Sequence, residues 1–237
     1  MLAVSGTRRQ RARNRMAAAA REYAAMGWPC SQGVRPAEDG NRACSCDRIG
    51  CPHPGAHPVS AAWRMEATTD AEVLTRWWTE RPDAGIILPT GRVFDVLDVP
   101  AAAGAAALER AVRDDIPIGP VAAFGDERHL FFVATRGAPD DEDEWWACNL
   151  DCFPETVAET PGVRWHCRDS YVLAPPSPLP SGRGVRWLRS PRTVARTSSR
   201  TSARTSSRGF TRGAAPISGG ALLPDALRVL EVLVDCM

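Results

Sequence analysis

Two groups of residues have the types and spacing that could do chemistry. The first lies in Val93-Phe94-Asp95-Val96-Leu97-Asp98-Val99, a β-branched and apolar run broken only by two acids and bounded by Gly91 and Pro100. Such a run suits a central strand covered on both faces. A carboxylate in that setting loses hydration and is retained where it is hydrogen-bonded, paired or bound to a cation. Asp95 and Asp98 are therefore site candidates, with the plainer alternative that Asp95 lies at a strand edge and Asp98 in the turn before Pro100. The second group is Cys44, Cys46, Cys51 and His53, four soft or borderline ligands within ten residues, with Cys30 and His57 in reserve. Zinc takes four such groups in a tetrahedron. The opening C-x-C differs from the usual C-x2-C, and the alternative is a set of reduced thiols in a Pro/Gly-rich loop. A third candidate, His129, begins the return strand of an expected hairpin; a histidine standing alone is more often structural.

Composition narrows the chemistry. The chain has 237 residues, 44% of them hydrophobic and 24% charged, enough for one substantial core or one domain with appendages. All 29 basic residues are arginine. The absence of lysine excludes a P-loop and any Schiff-base mechanism. No apolar run approaches membrane-spanning length, and Met1 to Gly6 is too short for a signal core, so we expect a cytoplasmic protein without a membrane partner. Eight cysteines in such a chain argue for reduced thiols or metal ligands over a disulfide framework.

The elements that must hold these residues follow from periodicity. A first Ala/Arg-rich helix is expected over Arg8 to Met26, stopped by Gly27, its basic cluster read as a solvated face. Trp28 to Pro58 is turn-rich. Asp70 or Thr69 caps a helix whose core face is Val73, Leu74, Trp77 and Trp78, and which Pro82 ends. Ala84 to Leu88 and the central strand are close enough to suggest a hairpin. Ala101 to Asp114 forms another helix, and Val121–Phe124 with His129–Ala134 a second hairpin turned at Gly125-Asp126-Glu127-Arg128. Asp140 to Glu144 is a solvated acidic loop, Trp145–Cys148 re-enters the core, and Val163 to Ala174 forms a last hairpin. Residues 192–212 repeat Arg-Thr-Ser with nothing to bury, the composition of a flexible cationic linker. Leu222 to Met237 carries Leu223, Leu227, Leu230 and Val234 at helical spacing and requires a partner surface, its own domain or another chain.

Taken in order, several of these motifs resemble the primase/polymerase domain of bifunctional DNA primase-polymerases, of archaeo-eukaryotic primase type. The resemblance runs from about Ala17 to Trp187. It rests on Gly27-Trp28-Pro29, the Cys-Ser-Cys loop closing in Pro54-Gly55-Ala56-His57-Pro58, Ala67-Thr68-Thr69-Asp70 with Trp77-Trp78, and Thr90-Gly91. It continues through Val96-Leu97-Asp98-Val99, Gly125 to Phe132, and Tyr171-Val172-Leu173-Ala174-Pro175-Pro176-Ser177.

The resemblance implies an α/β (α+β) fold, a central mixed or antiparallel sheet with flanking helices, joined here by the cysteine-rich loop and the Arg/Ser/Thr tail. Residues 8–190 would form the domain, with the loop at 30–58, residues 191–220 the linker and 221–237 the helix. It implies template-dependent nucleotidyl transfer in DNA replication, with a DNA template and nucleoside triphosphates as partners and two Mg2+ or Mn2+ ions held by an acid-x-acid pair. Asp98 matches the first acid of that pair; Pro100 stands at the second. Asp95 substitutes only if the strand is bulged or ends early. His129, with Arg128 beside it, matches the histidine that contacts nucleotide phosphates, and Arg164 stands where a third acid is expected. Three readings follow: a metal-dependent nucleotidyltransferase centred on Asp98, Asp95 and His129, a catalytically degenerate member that binds nucleic acid or nucleotide, or a small cysteine-loop protein that shares only the scaffold. Zn2+ in the cysteine loop and a replication protein on the C-terminal helix complete the expectations.

Overall fold

A computed structural model describes residues 15–37, 44–46, 48–135, 162–191 and 223–237. The expected basic cluster at Arg8–Arg13, the acidic loop at 140–144, the Trp145–Cys148 segment and the Arg/Ser/Thr repeat lie outside the described residues. In chain order the elements are helix α1 (residues 15–25), β1 (Ser31–Gly33), α2 (Trp63–Glu66), α3 (Ala71–Glu80), β2 (Gly85–Pro89), β3 (Phe94–Pro100), α4 (Ala101–Arg113), β4 (Val121–Phe124), β5 (Arg128–Ala134), β6 (Arg164–His166), β7 (Tyr171–Ala174), β8 (Val185–Arg189) and α5 (Ala226–Val234). This is a mixed α/β architecture with two sheets, ordered β1-β2-β7 and β6-β3-β5-β4-β8. The chain divides into two compact units, Met1–Pro89 with Val172–Arg186 and Thr90–Tyr171 with Trp187–Met237. Among the described residues no helix is long and apolar enough to cross a membrane.

In the first unit, α1 buries Met16, Ala20 and Tyr23 on one face and stops where Gly27 takes φ 79°. Trp28 then folds back: its N–H donates to the Tyr23 carbonyl at 2.9 Å and its ring stacks on Tyr23 at 6.0 Å. The Tyr23 hydroxyl donates to the Pro175 carbonyl at 2.5 Å. The Pro-Pro-Ser motif has a structural role of its own, since buried Ser177 accepts the Ile86 N–H of β2 on its Oγ at 2.9 Å. Helix α3 is capped by Asp70, which accepts from the backbone N–H groups of Glu72 and Val73, and it buries Leu74 and Trp78 as its periodicity requires.

In the second unit, β3 pairs with β5 in an unbroken antiparallel register from Phe94 opposite Ala134 to Pro100 opposite Arg128. The β4–β5 hairpin turns at residues 125–127, as expected. The other two expected hairpins do not form. Strand β2 pairs with β1 while β3 lies between β5 and β6, and β6 and β7 belong to different sheets. Strands buried on both faces lack the alternation that would specify a neighbour. Gly91, between β2 and β3, sits at φ 82°, and a Cβ there would lie 2.2 Å from the Cα of Arg168.

Strict alternation along β3 separates two faces. One carries Leu97 and Val99 and forms the core with Phe131, Val133 and Trp165, covered by Ala107 and Ala111 of α4 and by Ala226, Val229, Val232 and Leu233 of α5. The C-terminal helix therefore packs on its own chain, one of the two partner surfaces expected, but through a face turned from the expected stripe: of those residues Leu223 is buried, Leu227 and Leu230 are partly buried and Val234 is exposed. At about 1.5–3 kcal/mol for each large apolar side chain fully buried, three such residues are enough to hold a nine-residue helix. The opposite face carries Phe94, Val96 and Asp98, with Phe132 and Trp187 packed ring against ring at 5.2 Å.

Candidate functional site

Asp98 lies near the end of β3 and is 6% exposed. Register places Arg128 diagonally across on β5 and Arg164 directly opposite on β6, and residues alternate so that His166 shares their face. The Arg128 Nε donates to Asp98 Oδ1 at 2.5 Å, while its Nη2 donates to the carbonyls of Asp98 at 2.9 Å and Gly162 at 2.6 Å. His166 Nε2 stands 3.4 Å from the other carboxylate oxygen, and its Nδ1 lies 3.1 Å from Ser170 Oγ. A buried carboxylate needs such partners, and this one has a guanidinium and an imidazole. His166 was missed by sequence reasoning; the signal available was its two-residue offset from Arg164 within an expected strand.

The three residues expected at one catalytic centre do not share a face. Asp95 is three positions from Asp98 on a strand without a bulge, so it points to the core side, where Trp165 Nε1 donates to its Oδ2 at 3.3 Å. His129 is opposite Val99 and also belongs to the core side. Its ring lies against the first turn of α4, where a Cβ on Gly104 would come within 2.6 Å of Nδ1. The condition under which Asp95 could replace the missing acid, a bulged or shortened strand, is not met. Arg128, expected to contact phosphates, donates to Asp98 and Gly162.

These residues do not fit a pair of divalent cations. Pro100 and Arg164 stand where the resemblance leads one to expect further acids, and the Asp98 carboxylate is held by Arg128. Among the described residues, the grouping of three or more potential metal-ligating side chains lies elsewhere, at Cys44, Cys46, Cys51 and His57, with the ligand atoms all within 4.8 Å of one another. The expected cysteines converge, but the histidine among them is His57, one of the two held in reserve, while His53 is exposed and is not part of the set. Cys30, the other reserve ligand, is buried beneath α1 with its thiol directed to the Ala20 and Trp28 carbonyls, and burial pushes its pKa up.

Local geometry explains the convergence. The chain bends at Ser45 and Cys46, and Gly55 turns at φ 73°, where a Cβ would press to within 3.0 Å of the Pro36 ring. The Gly55 N–H donates to Cys44 Sγ at 3.4 Å, and His57 Nε2 lies 3.5 Å from the same sulfur. Burial raises the Cys44 pKa, but hydrogen bonds from the backbone of Gly55 and Cys46 and from the Cys46 and His57 side chains outweigh it and bring the thiol down to about 7. Cys51 moves the other way, raised by burial and by the neighbouring Cys46 and Cys44 sulfurs.

An acid near the end of a central antiparallel strand, with helices packed on one side of its sheet and a second sheet in a separate unit, is the layout expected of a primase/polymerase-type α/β domain. A model of the family described as bifunctional DNA primase/polymerase, N-terminal, matches residues 20–199. The match covers more than half of the sequence, and the chain belongs to that family. No curated protein and no solved structure matches it. The family acts on DNA and nucleotides and depends on divalent metal.

Proposed function

We propose that this chain is a primase/polymerase-family domain whose metal centre is replaced by an arginine–carboxylate–imidazole cluster, and that it binds nucleic acid or nucleotide without polymerising. The observation that carries the reading is the Arg128 guanidinium seated on Asp98. In-line nucleotidyl transfer needs clustered carboxylates to hold two cations that activate the 3′ hydroxyl and neutralise the triphosphate. Asp98, Pro100 and Arg164 together carry no net charge where the family arrangement carries three negative charges. Arg128 tips the face towards positive, and Arg164 is exposed on it. Fixed cations attract phosphate directly, the task that bound metals perform in an active family member.

Primer extension and de novo priming with Mg2+ or Mn2+, run beside fluorescence anisotropy of a labelled single strand in divalent-free buffer, test this. The expected result is no incorporation, with binding that needs no divalent ion and weakens in Arg164→Gln. Incorporation that disappears in Asp98→Asn overturns the proposal in favour of metal-dependent transfer.

A further inference from the structure

We propose that Cys44, Cys46, Cys51 and His57 bind one zinc ion in a three-sulfur, one-nitrogen tetrahedron that staples the 44–58 loop to the chain following β1. With Zn–S near 2.3 Å and Zn–N near 2.0–2.1 Å, a tetrahedron sets its S···N edges at about 3.6 Å and its S···S edges at about 3.8 Å. The Cys44 Sγ to His57 Nε2 separation of 3.5 Å already matches an S···N edge, and all four ligand atoms lie within 4.8 Å. Closing onto an ion asks for a contraction of about 1 Å at the widest pair.

The surroundings orient the imidazole that such a site needs. His57 Nδ1 lies 2.8 Å from the Pro58 carbonyl, which can only accept, so Nδ1 carries a proton and Nε2, 3.5 Å from Cys44 Sγ, is the nitrogen left to lose its own proton to a metal and ligate it. Zinc-binding histidines are oriented by this kind of outer hydrogen bond. The Gly55 N–H on Cys44 Sγ offsets part of the charge that three thiolates bring together. His53 has none of this support: it is exposed between Pro52 and Pro54.

The site would have a mechanical effect on the first unit. Cys44 is bridged to Pro36, Ser45 N–H donates to the Arg35 carbonyl at 2.9 Å, and Val34 N–H donates to the His57 carbonyl at 2.9 Å. Both ends of the loop are thus laid beside residues 34–36, and one ion would lock them there. Cys46 borders a cavity of about 410 Å³ shared with Arg35 and Arg81, which gives a metal or a chelator a way in.

The test uses the full chain, purified reduced and without a polyhistidine tag. Elemental analysis should find one zinc per chain. Cobalt added to the metal-stripped protein should give the visible ligand-field bands of a tetrahedral ion together with thiolate charge-transfer absorption. His53→Ala should keep the full equivalent and the same cobalt spectrum, whereas His57→Ala and Cys51→Ser should lose zinc to a competing chelator. The cobalt titration of the wild type needs no variant, so a variant that fails to fold does not spoil the test. Zinc-free protein that gives no tetrahedral cobalt bands overturns the proposal, as does a disulfide among Cys44, Cys46 and Cys51 in freshly purified protein. Loss of metal in His53→Ala with retention in His57→Ala overturns the ligand assignment.

Discussion

Replacing Arg128 by methionine separates an internal ion pair from a cation-free metal site. In the wild type the Asp98 side chain is 8% exposed and that of Arg128 19%, so neither charge is well hydrated once its partner is gone. Removing one member of a buried pair costs about 3–5 kcal/mol. His166 at 3.4 Å can compensate part of that, while the carbonyls of Asp98 and Gly162 each lose a donor worth about 1 kcal/mol. We expect a net loss of about 3–4 kcal/mol. For chains of this size each kcal/mol moves the melting temperature by about 2–4 °C, so Arg128→Met should melt roughly 6–16 °C lower. Asp98→Asn keeps an oxygen for the Arg128 Nε and strands only the better-exposed charge, so its loss should be about 1–2 kcal/mol. The double variant should lose less than the sum of the two, by about 1–3 kcal/mol of coupling. Thermal and urea unfolding followed by circular dichroism would measure all three. A carboxylate kept bare for a cation behaves oppositely, because neutralising it relieves strain in the folded state. An Asp98→Asn protein that melts at or above the wild type refutes the ion-pair reasoning.

Gly104→Ala should destabilise although alanine is the better helix former: the new methyl would lie 2.6–2.8 Å from the His129 ring and its Cβ, and overpacking of about 1–3 kcal/mol outweighs a helix gain of about 1, read as a lower urea midpoint. Leu233→Ala, at a fully buried position of α5, should cost about 2–5 kcal/mol in thermal unfolding; an unchanged melt would mean that the helix is not part of this core. Changing Arg192, Arg196, Arg200, Arg204, Arg208 and Arg212 to serine should flatten the log–log salt dependence of single-strand binding by up to about 4, at roughly 0.7 per phosphate contact. An equal slope in both proteins would remove the repeat from DNA binding. Substitution is the right perturbation here, since deleting everything after residue 190 would also remove α5 from the core.

Local signals in the sequence were reliable where one element decides the outcome. Asp70 ahead of Leu74 and Trp78 specifies a capped helix, Gly125-Asp126-Glu127 a hairpin turn, and the β-branched run around Asp98 a strand buried on both faces. Pairing between distant strands was not legible, because Ile86–Leu88 and Phe94–Leu97 offer similarly apolar text to any neighbour, and only the pairings themselves show that the chain leaves one sheet for another. The departures at Pro100 and Arg164 were visible in the sequence, but their consequence was not. It takes the β3–β5–β6 register to show that Arg128 and Arg164 both come to Asp98 and that His129 goes to the other side. The exchange of His53 for His57 has a similar cause. Spacing counts residues along the chain, whereas the Gly55 turn and the Pro58 carbonyl decide which imidazole is presented.

The docking of α5 also bears on the arginine-rich repeat. The end of strand β8, from Trp187, and helix α5 belong to the same unit, and α5 is built into its core. A single proteolytic nick between residues 192 and 222 should therefore leave two fragments that migrate as one particle until the core is denatured.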